Sequence, residues 1–515
     1  MKRMADRLAA HRTLPEVVLS SRDLTRVIAR EVRSGRAKKI GPRLYTTNTT
    51  DDPAAVVRRN LWVLLGQLLP GAIVGYRTAL DGVPSPDGAV FLAGRYARSI
   101  RLPGHTVHVA RGPGPLEGDN PFMGGLFIAS RERALLESVE ASRRRSARVR
   151  GITDRELQQW LERQLQIGGE GALNTIRDRT RALAPLLHAE RAQERIDAII
   201  GGLLGTRRTT LTAPAALARL AGRPYDAGRL RLFETLLTEL RTRPLPSRPE
   251  RHTDRDAWRH AAFFDAYFSN YIEGTEFELG EAMQIVLEGR IPAARPQDAH
   301  DVLGTFRLLM DRSAFARSVT TRDADAFVAL VKERHARMLS ERPEVRPGQF
   351  KEKANRAGET VFVAPELVHG TLQTGFEMLR ALSEPFAKAA FVMFLLGEVH
   401  PFDDGNGRLA RVFMNAELAA AGETRIIIPT VFRDDYLLAL RALSRQSRPQ
   451  PFIAMLDRAQ RFADELDFRV LPRVVEVLTA CSAFAEPGVG VLRLPSELGQ
   501  SPAHGTTGTG AGDTA

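Results

Sequence analysis

Residues 400–411 read HPFDDGNGRLAR and gather one His, two Asp, two Gly, an Asn and two Arg. A packed core needs none of this mixture, whereas the chemistry of phosphates needs all of it. Gly405 and Gly407 let the backbone take unusual dihedrals and come close to a ligand. Successive N–H groups at a helix start form an anion nest, reinforced by the helix dipole. Arg408 and Arg411, three apart and so on one side of a helix, add charge-assisted and often bidentate phosphate contacts. Asp404 offers a hard oxygen suited to Mg²⁺ bridging phosphates. His400 can exchange a proton near neutral pH. Together they describe a polyphosphate site with a divalent ion and a general base, as phosphoryl or nucleotidyl transfer requires. A polar loop whose Arg and Asp pair with each other would explain any one of these residues, but not the whole set in this order.

The flanking sequence supplies elements to hold the loop. Ser383, Glu384 and Pro385 predict a helix start with a capping Ser. An apolar run then leads to a helix end at His400. A second helix is expected from about Asn406 to just before Gly422, with Leu409, Val412, Phe413 and Ala416 as its apolar face. Upstream, residues 269–278 read SNYIEGTEFE. Ser269 and Glu273 are four apart at the end of a predicted helix and share a face. Gly274 stops that helix, and Thr275 and Glu278 have capping-box spacing for the next. A plain helix hairpin explains the spacing but not the residue types. Between the two stretches, 360–364 (TVFVA) predicts a strand and 356–359 a turn, hence a hairpin. His369 just after it is read as structural rather than catalytic.

The 400–411 stretch resembles the Fic family motif HxFx(D/E)GNGRxxR and meets it at every defined position. The resemblance extends over about 254–463, including IIIPTVFRDDYLLALRALSR. It implies an all-α core that transfers AMP from ATP to a protein hydroxyl. His400 would be the general base, Asp404 the Mg²⁺ ligand, and Gly405, Asn406 and Gly407 the cradle of the α- and β-phosphates. Arg408 would bind phosphate, Arg411 would reach the γ-phosphate, and Phe402 would anchor the loop. Family members that act as kinases carry Lys at the position of Gly407, so Gly here favours nucleotidyl transfer. SNYIEG resembles the family's inhibitory motif (S/T)xxxE(G/N) at Ser269, Glu273 and Gly274. The resemblance implies that Glu273 pairs with Arg411 and blocks productive seating of the γ-phosphate. It likewise implies that the hairpin is a flap on which an extended target segment docks as an added strand.

At roughly 150 residues per domain, the 515 residues predict about two to four domains. No run of about 18 uncharged apolar residues is present, and the longest candidate, 387–396, contains Lys388. The N-terminal MKRMADRLAAHRTLPE lacks the apolar core of a signal peptide. The single Cys481 has no partner for an internal disulfide. These features predict a cytoplasmic protein. The net charge of +12 suggests an acidic partner, or merely arginine-rich codon usage.

The expected organisation is multidomain. An α+β regulatory domain over 1–220 precedes a linker over 221–253. An all-α Fic domain with its β-hairpin flap follows over 254–470, then a C-terminal extension over 471–498 and a disordered Gly/Thr-rich tail over 499–515. Before the linker the sequence reads as short helices mixed with short strands. Leu24, Val27, Ile28 and Val32 predict a helix, followed by strand-like IGPRLYTT and a helix from Pro53 to about Leu69. That order, with basic Arg26, Arg30 and Arg33, reads as a winged helix near 12–50 or as a small basic α+β domain. KKIGPRLYTT, PGAIVGYRTALDG, LPGHTVHVARGPGPLEGD and LFIASRERALLESV resemble AbiEi-type antitoxins and transcriptional regulators over about 12–220.

The leading expectation is an auto-inhibited protein adenylyltransferase acting on Ser, Thr or Tyr with ATP and Mg²⁺. The alternatives are a DNA-binding regulator with the Fic core as sensor, and a Fic enzyme that uses another nucleotide or removes AMP. Expected partners are a hydroxyl-bearing protein, the protein itself through self-modification, DNA through the N-terminal region, and a second copy as homodimer. No membrane partner is expected.

Overall fold

The computed structural model describes residues 14–142 and 150–499. The chain divides into two compact units, Met1–Leu220 and Ala221–Ala515. The N-terminal residues before 14, and the expected disordered tail beyond Gly499, lie outside the described residues.

The first unit opens with β1 (Val17–Leu19), α1 (Thr25–Arg33), β2 (Lys38–Gly41) and β3 (Leu44–Thr46). The strands form an antiparallel sheet in the order β1–β3–β2. Ile28 is the one fully buried residue of α1, and Val32 is exposed. Helix α2 (Pro53–Leu68) starts as its sequence dictates. Asp52 accepts from the N–H groups of Ala54 and Ala55, and Pro53 fills a first-turn position that needs no donor. Then come β4 (Ile73–Val74), α3 (Tyr76–Asp81), β5 (Ala89–Gly94), β6 (Arg98–Leu102), β7 (His105–Arg111), β8 (Asn120–Phe122) and β9 (Leu126–Ile128). They form one sheet in the order β6–β7–β5–β4–β9–β8, with β5 parallel to β7 and β4 parallel to β9. Val56, Leu61, Leu64 and Leu65 of α2 pack on one face of it, against Val90, Leu92, Val107 and Val109.

The rest of this unit is helical: α4 (Arg131–Ser142), α5 (Asp154–Leu187, interrupted at Gly169), α6 (Glu190–Leu203) and α7 (Pro214–Leu220). The expected mixture of short helices and strands therefore stops at β9. The long helix was not among the expected elements, although its sequence carries it: Thr153 and Glu156 form a capping box, and Leu157, Leu161 and Leu165 repeat at helical spacing into the core.

The second unit contains α8 (Ala227–Thr242), α9 (Arg255–Ile272), α10 (Leu279–Glu288), α11 (Pro296–Met310), α12 (Ala324–Met338), the hairpin β10 (Arg356–Ala357) and β11 (Thr360–Val361), α13 (Val368–Arg380), α14 (Pro385–Val399), α15 (Asn406–Ala420), α16 (Arg433–Gln446), α17 (Gln450–Asp464) and α18 (Leu471–Ala480). Residues 221–253 are not merely a linker. Leu230, Phe233, Leu236 and Leu240 of α8 repeat every three or four residues and are buried in this unit's core, with Phe233 against Phe391 and Phe394. Cys481, Leu492 and Leu494 of the C-terminal extension are buried in the same core.

Two expected caps do not form. Helix α14 begins after Glu384, and the Ser383 hydroxyl instead donates to the Glu384 carboxylate. Helix α10 begins after Glu278 with no side-chain cap, so Thr275 and Glu278 make no capping box. No described helix is long and apolar enough to cross a membrane.

Candidate active site

Helix α14 is buried almost all round and ends in His400, whose φ of 51° lies in the left-handed region. The chain turns there and at Gly405 (φ 73°) before α15 begins. A Cβ at Gly405 would press on Leu339 and Met338, so the turn demands both glycine's dihedral freedom and its lack of a side chain. The side chain of Asn406 closes the loop by acting as a surrogate backbone. Its Oδ1 accepts from the Phe402 N–H at 2.8 Å, and its Nδ2 donates to the Phe402 carbonyl at 2.9 Å. Phe402 is fully buried, as its anchoring role requires. The Asn406 side chain is therefore committed to the loop, and any phosphate contact from this residue must come from its backbone.

His335 of α12 pins the same loop, a contribution the sequence reading missed. Its ring stacks on Phe402 with centroids 3.7 Å apart and planes 4° from parallel. Its Nδ1 accepts the Gly348 N–H at 2.9 Å, and its Nε2 lies 3.0 Å from the Asp404 carbonyl. A carbonyl only accepts, so one neutral tautomer satisfies both partners. Burial pulls this imidazole down to about 4. Lys351 and Asn355 brace the other side. Lys351 Nζ donates to Asn355 Oδ1 at 2.6 Å, and Asn355 Nδ2 donates to the Phe402 carbonyl at 3.0 Å. Burial lowers the Lys351 ammonium to about 8.

His400 stacks on Phe362, just beyond β11, with centroids 3.7 Å apart. Its Nδ1 lies 3.2 Å from the Gly397 carbonyl, so that nitrogen carries the proton and Nε2 keeps its lone pair. Burial lowers this ring also to about 4, so it is neutral at pH 7. His400, Gly407, Glu273, Tyr436 and Arg433 line a pocket of about 350 Å³, with the hairpin residues Ala357, Gly358 and Thr360 along one wall. The hairpin pairs Ala357 with Thr360 across the two-residue turn 358–359. Arg229 of α8 reaches both the Val361 carbonyl and the buried Glu398. Arg445 donates to the Thr360 hydroxyl at 3.0 Å.

The two motif arginines part company. Arg411 is only 2% exposed. Its Nη2 donates to Glu273 Oε1 at 2.6 Å and to the Ser269 carbonyl at 2.8 Å, its Nε to Ser269 Oγ at 2.8 Å, and its Nη1 to the Tyr436 hydroxyl at 3.2 Å. Ser269, Glu273 and Gly274 (φ 90°) end α9 at this spot. The Glu273 carboxylate sits directly on Gly407, where any Cβ would overlap it. Arg408, expected at a phosphate, reaches Asp404 Oδ1 at 3.4 Å but has its closest contacts in the interior. It is buried, 2.7 Å from Asp301 Oδ2 and 3.2 Å from Asn270 Oδ1, and is not among the pocket's lining residues. Asp301 also meets Arg342 at 2.7 Å, so a buried carboxylate holds two guanidiniums and Arg408 serves as scaffold.

The side chain of Asp404 is 43% exposed, and its Oδ1 accepts the Gly405 N–H at 2.6 Å. Among the described residues no cluster of three or more His, Cys, Asp or Glu could hold a metal. One half-exposed carboxylate beside a phosphate nest nevertheless fits Mg²⁺, which keeps waters and takes phosphate oxygens.

The Fic/DOC family model matches residues 327–418, the segment that contains His335 and the whole loop. The protein adenylyltransferase fic-1 of Caenorhabditis elegans is 28% identical over 241 residues, 42% of this chain and 46% of that protein. The protein adenylyltransferase Fic of Nematostella vectensis is 28% identical over 208 residues, 39% of this chain and 48% of that protein. The chain thus spans about half the length of the curated relatives it matches. Among solved structures, a C. elegans Fic-1 fragment has a TM-score of 0.35 at 21% identity, covering 67% of this chain and 99% of that one. The family match, the relatives and the 400–411 motif agree in making residues 327–418 of the second unit similar to a Fic/DOC family domain.

Proposed function

We propose that the second unit is a protein adenylyltransferase that transfers AMP from ATP to a Ser, Thr or Tyr hydroxyl and is held inactive by Glu273. The observation that carries the reading is the one-sided His400. Its Nδ1 is engaged by the Gly397 carbonyl, and its Nε2 is left as a neutral base in a pocket beside Gly407. The target hydroxyl gives its proton to that nitrogen and forms a bond to the α-phosphorus. The bond from the α-phosphorus to the bridging oxygen breaks, and pyrophosphate leaves. Backbone N–H groups at the start of α15 bind phosphate oxygens. Asp404 would hold Mg²⁺, which neutralises phosphate charge when bound.

In this conformation Glu273 fills the space over Gly407 and neutralises Arg411. The γ-phosphate needs both, so Glu273 must move for productive binding. The hairpin supports a docking role for an extended target segment: it borders the pocket and is tied to the core by Arg229 and Arg445. Winged-helix character in the first unit is supported by the β1–β3–β2 sheet, in which β2 and β3 form a hairpin directly after α1. Against a large basic DNA face there, Arg30 and Arg36 pair with Glu31 at 3.1 and 2.7 Å. The test is incubation of the chain with labelled ATP, UTP and GTP, followed by mass spectrometry of modified proteins including itself. AMP on a protein hydroxyl that disappears in His400→Ala supports the reading; full transfer in that variant overturns it.

A further inference from the structure

A second cleft lies in the first unit, where nothing in the adenylyltransferase reading operates. It has a volume of about 400 Å³ and opens at the carboxyl ends of the parallel strands β5 and β7. Loops beyond the carboxyl ends of parallel strands are where open α/β sheets bind ligands. Residues 69–73 form one wall, Arg95, Tyr96 and Arg98 a second, and the glycine-rich turn at 112–114 a third.

The third wall is preformed. Arg133, fully buried, donates to the carbonyls of Gly114 and Pro113 at 2.9 and 3.0 Å. It is itself held by Asp119 at 2.5 Å and Glu137 at 3.0 Å. Arg98 fixes the second wall to the first by donating to the Leu68 carbonyl at 3.0 Å.

The charge here is one-sided. From 88 to 116 the sequence has no Asp or Glu and four arginines, Arg95, Arg98, Arg101 and Arg111. All four are exposed, and none makes an ion pair among the described residues. Tyr96 is 67% exposed, with the Arg95 guanidinium 5.3 Å from its ring centroid. Arginines on an edge strand also keep it from pairing with other edges, and β6 is an edge. That explains Arg98 and Arg101, but not an exposed aromatic ring on the rim of a preformed cleft.

We propose that this cleft binds single-stranded nucleic acid, with one base stacked on Tyr96 and the adjoining phosphates held by Arg95 and Arg98 in the cleft and by exposed Arg111 at the end of β7, outside its lining. A basic groove with an exposed aromatic platform is the equipment for unpaired bases. A cleft of this size admits one nucleotide, whereas a duplex keeps its bases stacked out of reach of the ring.

The test is fluorescence anisotropy of the full chain with a labelled oligothymidylate and with the matching duplex, across a salt series. Saturable, salt-dependent binding that favours the single strand is expected. Tyr96→Ala should weaken it by about fivefold or more, and Tyr96→Phe should preserve it. Arg95→Ala with Arg111→Ala should flatten the log–log salt slope by roughly 0.7 for each phosphate that is no longer neutralised. These side chains are exposed, so folding is not at stake. Absence of binding at low salt, preference for the duplex, or unchanged affinity in Tyr96→Ala would each overturn the proposal.

Discussion

His335 and His400 are chemically alike and differ in how their ring nitrogens are engaged. His335 is fully buried and His400 half-buried, yet both are lowered to about 4 and both stack face to face on a phenylalanine at 3.7 Å. His335 has both ring nitrogens occupied by backbone partners, one donor and one acceptor. His400 has one nitrogen fixed by Gly397 and lines the pocket with the other available. Satisfaction of hydrogen-bonding capacity thus separates a scaffold histidine from the proposed base where ring type and stacking do not. Arg408 and Arg411, on one helix, differ in the carboxylate each one meets. Arg408 faces a buried carboxylate shared with Arg342, whereas Arg411 faces Glu273, whose side chain is one-third exposed.

Substitutions can break this comparison. The largest effect is expected for His400→Ala, with transfer falling by about 10²- to 10⁴-fold while the fold and ATP binding persist. Labelled-ATP kinetics with a thermal melt checks it; a loss of stability equal to the loss of activity would place His400 with the scaffold. Asp404→Ala should remove Mg²⁺-dependent transfer, and EDTA should mimic it in the parent. Turnover that continues in EDTA would remove Asp404 from its assigned role. His335→Ala should act mainly on stability. It strands the Gly348 N–H and the Asp404 carbonyl, at about 1–3 kcal/mol for each buried group left unmet. His335→Gln should restore part of that, as read from the melting midpoint.

The smallest effect is in pH. Both imidazoles are neutral in the fold with values near 4, below the roughly 6.5 of the unfolded chain. Between those values the unfolded state binds more protons, so stability is fully present above about 6.5 and declines as pH falls towards about 4. Melting midpoints across that window should fall, and less steeply in His335→Gln.

The loop was legible because its chemistry is local: glycines, Asp and His follow one another in the chain. Helical spacing in SNYIEG put Ser269 and Glu273 on one face, but their meeting with Arg411 was implied only by the resemblance. His335, Asp301 and Lys351 were not legible. Each acts across tens of residues of sequence, and as isolated residues in apolar helices or loops they carry no spacing signal. The pairing of Arg408 with Asp301 was not legible either, because three-residue spacing puts it on one side with Arg411 but does not say which neighbour that side meets. Helix α8 was obscured by the Pro- and Arg-rich residues that follow it, although Leu230, Phe233, Leu236 and Leu240 carry its period.

If Glu273 restrains a competent transferase by occupying Arg411, removing its carboxylate must release activity through that arginine. Incorporation of label from ATP would be followed in the parent, in Glu273→Gly, and in Glu273→Gly combined with Arg411→Ala, each confirmed folded by circular dichroism. A charge-assisted pair contributes on the order of 1.5–3 kcal/mol, and roughly 1.4 kcal/mol is tenfold in rate. Glu273→Gly should therefore raise AMP transfer, including self-modification, by at least about tenfold, and the second substitution should cancel the gain. A Glu273→Gly protein no more active than the parent with any nucleotide would contradict restraint by Glu273.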